Sequence, residues 1–268
     1  MAARRALLFA IGLITWLLSV ILTSAGHASI RFGVAAEPYP PFTSKDAAGE
    51  WVGWEIDLMN AVCRAMKEEC SIVEVSWDGI IPALNANFFD VIWSSMGITE
   101  DRLAVIDFTV PYYATPVILV GERNGDLDIS PVHLEGKIVG AQGGTIHEKY
   151  LKKHYSRNNL KIYHTQDEAF QDLTAGRVDY VQGDMIPLLD FLETPVGKTC
   201  CEFKGELPVD PEIFGIGAAG GIRKGDVALK NKLNAALKLV RESGEHEAIS
   251  RKYFPFDIAP KSRAATGD

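Results

Sequence analysis

The chain has 268 residues, 35 acidic against 27 basic, with a formal net charge of -8 and 47% hydrophobic residues. That balance argues against nucleic acid or an anionic membrane surface as a partner, and the apolar content is ample for a packed core. Four cysteines and six scattered histidines include no CxxC pair and no metal-ligand spacing.

The amino terminus reads as an export signal. Arg4 and Arg5 form a positive n-region, 6–23 carries no charge, and 24–28 ends with Gly26 and Ala28 at the two cleavage-defining positions. Residues 1–28 are expected to be removed, an uncleaved anchor being the alternative. No cysteine follows for lipid attachment. No second run is apolar enough to span a bilayer, so the remaining residues, about 240, are expected to be soluble and to form one large or two ordinary domains.

Residues 30–35 read as a buried strand. The loop after it, Glu37-Pro38-Tyr39-Pro40-Pro41-Phe42, is stiffened by proline, so that one aromatic packs down and the other faces a cleft. Ile56, Met59, Val62, Cys63 and Met66 follow a helical period, and 71–75 is the next strand, with Trp77 just past its end. A helix is expected over 78–88 with Ile80, Ile81 and Leu84 inward, then a strand over 91–95, a short helix over 99–105 and a strand over 115–120. The polar stretch 122–131 marks a boundary. A strand over 137–141 restarts the pattern, and Gly143-Gly144-Thr145 opens a helix to about His154. Further on, 213–218 is expected to be a second crossing strand and Gly220-Gly221 a turn. Asp226 caps a helix carrying Leu229, Leu233, Leu237 and Val240, Gly244 breaks it, and a last helix reaches Tyr253 and Phe254. The tail from Ala259 is expected to be disordered.

Strands alternating with helices imply an α/β fold with parallel, doubly wound sheets. A short internal repeat implies two similar lobes: Leu84-x-Ala86 with Asp90 and a strand ending at Ser94-Ser95, then Leu173-x-Ala175 with Asp179 and a strand ending at Gly183-Asp184. Ser95 and Asp184 fall at the same place in the two copies, at the strand ends where such sheets bind ligands.

The chemistry centres on the run SSMGITEDR from Ser94 to Arg102. Thr99 is a good N-cap, but Arg102 in the first helical turn opposes the helix dipole unless an anion sits before it. A carboxylate fits, since guanidinium binds it through two charge-assisted bonds, each worth roughly 1.5–3 kcal/mol when shielded. The alternative is a surface ion pair with Glu100, Asp101 or Asp107. Facing lobes would set Ser94, Ser95 and Arg102 opposite Asp184, an arrangement complementary to a zwitterion, with Tyr39 and Trp77 flanking a side chain. For Asp184 the alternative is a helix N-cap, and for Tyr39 and Trp77 ordinary core packing. In an exported protein Cys63 and Cys70 read as a disulfide. Cys200 and Cys201 could form a vicinal disulfide, stay reduced or link two chains.

From about Ile30 to Ile258 the chain resembles the periplasmic amino-acid-binding proteins of ABC importers, solute-binding proteins of family 3 that include the lysine/arginine/ornithine, histidine and glutamine binders. The resembling stretches are YPPF at Tyr39, GWEIDL at Gly53, SSMGITEDR with DFTVPYY after it, GKIVGAQGGT at Gly136, AGRVDYVQGD at Ala175 and RKYF at Arg251. The Cys63 to Cys70 spacing resembles that of the basic-amino-acid binders. The resemblance implies two doubly wound lobes joined by two crossing strands, a type II periplasmic-binding-protein fold, with 29–118 and 216–268 in lobe 1 and 119–215 in lobe 2. Arg102 becomes the carboxylate clamp helped by Ser95 and Thr145, Ser94 and the backbone of Gly97 line the pocket, Asp184 holds the ammonium, and Tyr39 and Trp77 flank the side chain. The loop before Tyr39 is one residue longer than in the basic-amino-acid binders, so their acidic specificity residue falls on Ala35 or Ala36, with Glu37 as a substitute. Glu55 reads as structural.

The implied function is a periplasmic receptor, monomeric and without cofactor or metal, that captures a polar L-amino acid, a basic one preferred, and delivers it to an inner-membrane permease. Closure would occur by bending near 115–121 and 213–218. The alternative on the same scaffold is a cyclohexadienyl (prephenate/arogenate) dehydratase, whose general acid or base would be Glu37 or an exposed His147. A further alternative, the sensor half of a membrane receptor, needs a separate signalling partner.

Overall fold

The computed structural model describes residues 29–260. The export signal and all but the first two residues of the expected disordered tail lie outside that range. Two five-stranded sheets dominate. The first contains β1 (Ile30–Ala35), β4 (Cys70–Val75), β5 (Val91–Ile92), β6 (Ile106–Phe108) and β12 (Gly221–Arg223), in the order β4-β1-β5-β12-β6. The second contains β7 (Val117–Glu122), β8 (Ile138–Gln142), β9 (Asn159–Tyr163), β10 (Tyr180–Asp184) and β11 (Cys201–Glu206), in the order β11-β7-β10-β8-β9. A small hairpin, β2 (Ser44–Lys45) with β3 (Trp51–Val52), stands apart.

The internal repeat has a structural basis. In each sheet the first strand of the copy lies between the second and third, parallel to both: β1 between β4 and β5, and β8 between β9 and β10. Asp90 accepts the N–H of Arg31 at the start of β1, and Asp179 accepts the N–H of Ile138 at the start of β8, at 3.1 and 2.7 Å. The two aspartates therefore anchor the same corner of each copy. The sheets are mixed, because β12 runs antiparallel to β5 and β6, and β7 antiparallel to β10 and β11.

Helix α1 (Trp54–Met66) buries Leu58 and Val62 against the first sheet and against α9 (Val227–Glu242) and α10 (Glu245–Tyr253). Each such side chain contributes about 1.5–3 kcal/mol. Cys63, near the end of α1, is bonded to Cys70 at the start of β4. Replacing both by alanine should lower unfolding free energy by about 2–3 kcal/mol, read as an earlier urea midpoint in the double variant. Cys200 and Cys201, at the junction of α7 (Pro195–Cys200) and β11, form a vicinal disulfide.

Several local expectations change. The strand expected over 91–95 stops at Ile92, and the polar stretch 122–131 lies inside the second sheet unit, between β7 and β8, and not at its boundary. The helix expected over 78–88 is a 3-10 turn at Trp77–Gly79 followed by α2 (Ile80–Asn85). The strand expected over 213–218 is instead α8 (Pro211–Phe214) and an irregular return. Asp210 accepts from the Glu212 N–H and proline at the first position presets the helical turn. Gly215 then reverses the chain at φ 67°, where a Cβ would lie 1.8 Å from the Ile98 carbonyl oxygen. The turn expected at Gly220-Gly221 gives way at its second residue to β12. Among the described residues no helix is long and apolar enough to cross a membrane, and no cluster of metal-ligating side chains forms.

Candidate functional site

The loop after β5 places Ser94 and Ser95, and the end of β10 places Asp184, at the mutually facing edges of the two sheets. Ser94 Oγ accepts the Ala35 N–H at 3.1 Å, which leaves its own proton free. Ser95, at φ 53°, is held by Glu55, whose carboxylate takes its N–H at 2.7 Å and its hydroxyl at 2.9 Å. Tyr112 donates to the same carboxylate. Burial raises the Glu55 pKa despite these three donors. Glu55 is therefore a scaffold for Ser95. With its proton on Glu55, Ser95 offers the pocket a lone pair, which suits an ammonium better than the carboxylate role expected from the sequence.

Asp184 occupies the N-cap position of α6 (Met185–Glu193), yet its side chain makes no capping bond. It accepts instead from the Tyr39 hydroxyl at 2.7 Å, with His147 Nε2 at 3.6 Å. Burial alone would raise its pKa, but His147, the Tyr39 hydroxyl and Arg102 outweigh that and hold it below the usual carboxylate range. The same Tyr39 bond joins the two sheet units. Phe42, its partner aromatic in the loop, is fully buried and stacks on Tyr113.

Arg102 lies in the first turn of α3 (Glu100–Val105), after the N-cap Thr99. Its guanidinium donates to the Gly97 carbonyl at 3.0 Å and lies 5.4 Å from the centre of the Trp77 ring. Among the described residues it has no ion-pair partner: Asp101 pairs with Lys149 and Asp107 with Lys224. Desolvation lowers its pKa to about 10 against the attraction of Asp184 and Asp101, so it remains a cation, one in no direct ion pair. Trp77 is itself fixed by Glu37, whose oxygens accept the Trp77 N–H at 3.0 and 3.2 Å.

The opposite wall is the start of α4 (Ile146–His154). Thr145 caps it, accepting from the Glu148 N–H and donating to the Gln142 carbonyl at 2.6 Å. Its only proton is thus engaged and cannot reach a ligand carboxylate. Its effect on the pocket is to orient a helix start whose first N–H groups, those of Ile146 and His147, lack intrahelical acceptors. Gly144, at φ 65°, brings this corner against the other unit, where a Cβ would stand 3.0 Å from Asp78 Oδ1 and 3.3 Å from Trp77 Nε1. His147, expected to be exposed, is only 4% exposed, and its Nδ1 has no hydrogen-bond partner.

All nine residues singled out from the sequence, Glu37, Tyr39, Trp77, Ser94, Ser95, Gly97, Arg102, Thr145 and Asp184, line one cavity of about 50 Å³ between the sheets. On a scale where one water needs about 10–15 Å³, that is small-molecule space. Ala35, one of the two positions where the acidic residue of the basic-amino-acid binders would fall, lines it too. Sequence reasoning missed Gln142, Ile146 and Gln166, and took His147 for a surface residue. Two of them carried a signal: Gln142 ends a parallel strand, and Gln166 follows Thr165, which forms a capping box with Glu168.

Residues 30–256 match the family model of bacterial extracellular solute-binding proteins, family 3. An L-arginine-binding protein of Pseudomonas aeruginosa is 38% identical over 239 residues, covering 88% of this chain and 92% of its own. A histidine-binding periplasmic protein of Salmonella typhimurium is 38% identical over 241 residues, covering 88% and 92%. Among solved structures, an ancestral arginine-binding protein bound to arginine superposes with a TM-score of 0.77 at 33% identity, covering 84% of this chain and 98% of its own.

Proposed function

The chain belongs to the bacterial extracellular solute-binding proteins of family 3, and from that membership we propose that it captures an L-amino acid, a basic one preferred, between its two sheet units and delivers it to the permease of an ABC importer. The named relatives bind arginine and histidine, and they are binding proteins, so the dehydratase alternative loses its ground. The observation that carries the reading is the desolvated Arg102 guanidinium, which has no carboxylate of its own and shares a pocket with the Asp184 carboxylate. A buried unpaired cation is costly, and a ligand carboxylate removes that cost.

In this reading Arg102 and the start of α4, oriented by Thr145, take the α-carboxylate with help from the Ser94 hydroxyl. Asp184 and the Ser95 lone pair take the α-ammonium, the Gly97 backbone closes the wall, and Trp77 and Tyr39 flank the side chain. Glu37 receives its cationic end. Residues 1–28 direct export, and the mature receptor works in the periplasm as a monomer. The moving bodies follow the division into 29–118 with 216–268 and 119–215, except that Val117 and Ile118 go with the second body as the start of β7. Bending concentrates just before Val117 and around Gly215 to Gly217, because β7 is laced into the second sheet from Val117 onward.

Trp77 makes the reading testable by fluorescence. L-Arginine should change the emission saturably, whereas agmatine, which keeps the guanidinium but lacks the carboxylate, should bind at least about a hundredfold more weakly, the scale of a lost buried charge pair. Equal affinity for the two would contradict the carboxylate clamp.

A further inference from the structure

His164 follows β9 and reaches toward the first sheet unit, where its ring lies between two carboxylates. Nε2 is 3.6 Å from Glu37 Oε1, and Nδ1 is 3.5 Å from Asp78 Oδ2. Its backbone is held from the second unit: the His164 carbonyl accepts from Gln142 Nε2 at 3.2 Å, and its N–H donates to Glu168 Oε2 at 2.9 Å. The charged groups around the residue are thus Glu37 and Asp78 from the facing unit and Glu168 from α5 (Gln166–Thr174), all of them acids. Glu37 has a second exposure, because it lines the pocket beside Trp77, with its side chain only 10% accessible. One carboxylate therefore stands between the pocket interior and an imidazole on the pocket rim.

We infer that His164 is a specificity-determining residue, which in its protonated form takes the charge of Glu37 and so lowers the preference of the pocket for a cationic over a neutral side chain. The inference rests on the amino-acid reading above and goes beyond it, making charge selectivity depend on a proton held outside the pocket. An imidazolium and a ligand cation compete for Glu37, so each weakens the binding of the other, whereas a neutral side chain meets no such competition. Bridging Glu37 and Asp78 to the second unit also favours the closed arrangement for any ligand, so the effect appears in the ratio of affinities.

The test compares L-arginine with L-citrulline, its uncharged analogue of the same length, by calorimetric titration at about pH 8 and about pH 5.5. For the wild type, acidification should lower the arginine-to-citrulline affinity ratio about threefold or more, the scale of one partly exposed ion pair. In His164→Gln the ratio should stay constant. In His164→Lys, a permanent cation, it should be low at both pH values. A wild-type ratio that does not move, or one that falls equally in His164→Gln, overturns the inference. Failure of both ligands to bind at either pH overturns the reading of the pocket as an arginine-type site, and the inference with it.

Discussion

Arg102→Met is expected to abolish amino-acid binding, by at least about a hundredfold, while leaving the unliganded protein as stable as the wild type or slightly more so. The two halves of that expectation come from one fact. The Arg102 guanidinium is desolvated, it donates only to the Gly97 carbonyl, and no acid among the described residues pairs with it. Burial costs this cation more than the attraction of Asp184 returns, so replacing it by methionine relieves the empty protein of that cost. The bound state loses the partner of the ligand carboxylate. A surface ion pair would behave differently: stability would fall by a few tenths of a kcal/mol and binding would persist. Thermal unfolding with and without arginine separates the two.

The second large effect is expected at Asp184→Asn. The asparagine keeps the shape and can still accept the Tyr39 hydroxyl, but it removes the anion that would face the ligand ammonium, and arginine affinity should fall about a hundredfold. The position discriminates between two roles, because Asp184 stands at the start of α6 without capping it. Asparagine caps as well as aspartate, so a capping role predicts an unchanged protein. Affinity retained in Asp184→Asn would assign the ammonium to another group. Since Asp184 is held below the usual carboxylate range, the wild-type charge, and the binding that depends on it, should persist as pH falls through the range where ordinary aspartates protonate. It should be lost only below that, provided the fold survives the acid.

What could be read from the sequence was mostly local or repeated. The Leu-x-Ala and Asp pattern marked both sheet edges correctly, because Asp90 and Asp179 each tie the end of one loop to the start of a neighbouring strand. Proline set the loop that carries Tyr39 inward and Phe42 down. Elements whose pattern depends on distant partners were harder. β11 is interrupted by a register shift between Phe203 and Gly205, which destroys its alternation. The return at 213–218 carries apolar residues in a row but is bent by Asp210, Pro211 and Gly215 into a helical turn and a reversal. The hydroxyl roles were likewise illegible: that of Ser95 is decided by Glu55, 40 positions earlier in the chain, and that of Thr145 by the Gln142 carbonyl. His147 looked like a polar helix start, and it is buried with its Nε2 turned to Asp184 at 3.6 Å.

The most direct test of the central claim is a thermal-shift measurement on residues 29–268, stripped of ligand by unfolding and refolding, against each L-amino acid and prephenate. A ligand at a hundred times its dissociation constant stabilises the native state by about 2.7 kcal/mol, or about 5–10 °C for a chain of this length. Arginine, lysine, ornithine or histidine should produce such a shift, and neutral amino acids a smaller one. Silence from every amino acid in a refolded protein, or a shift with prephenate alone, would contradict the account.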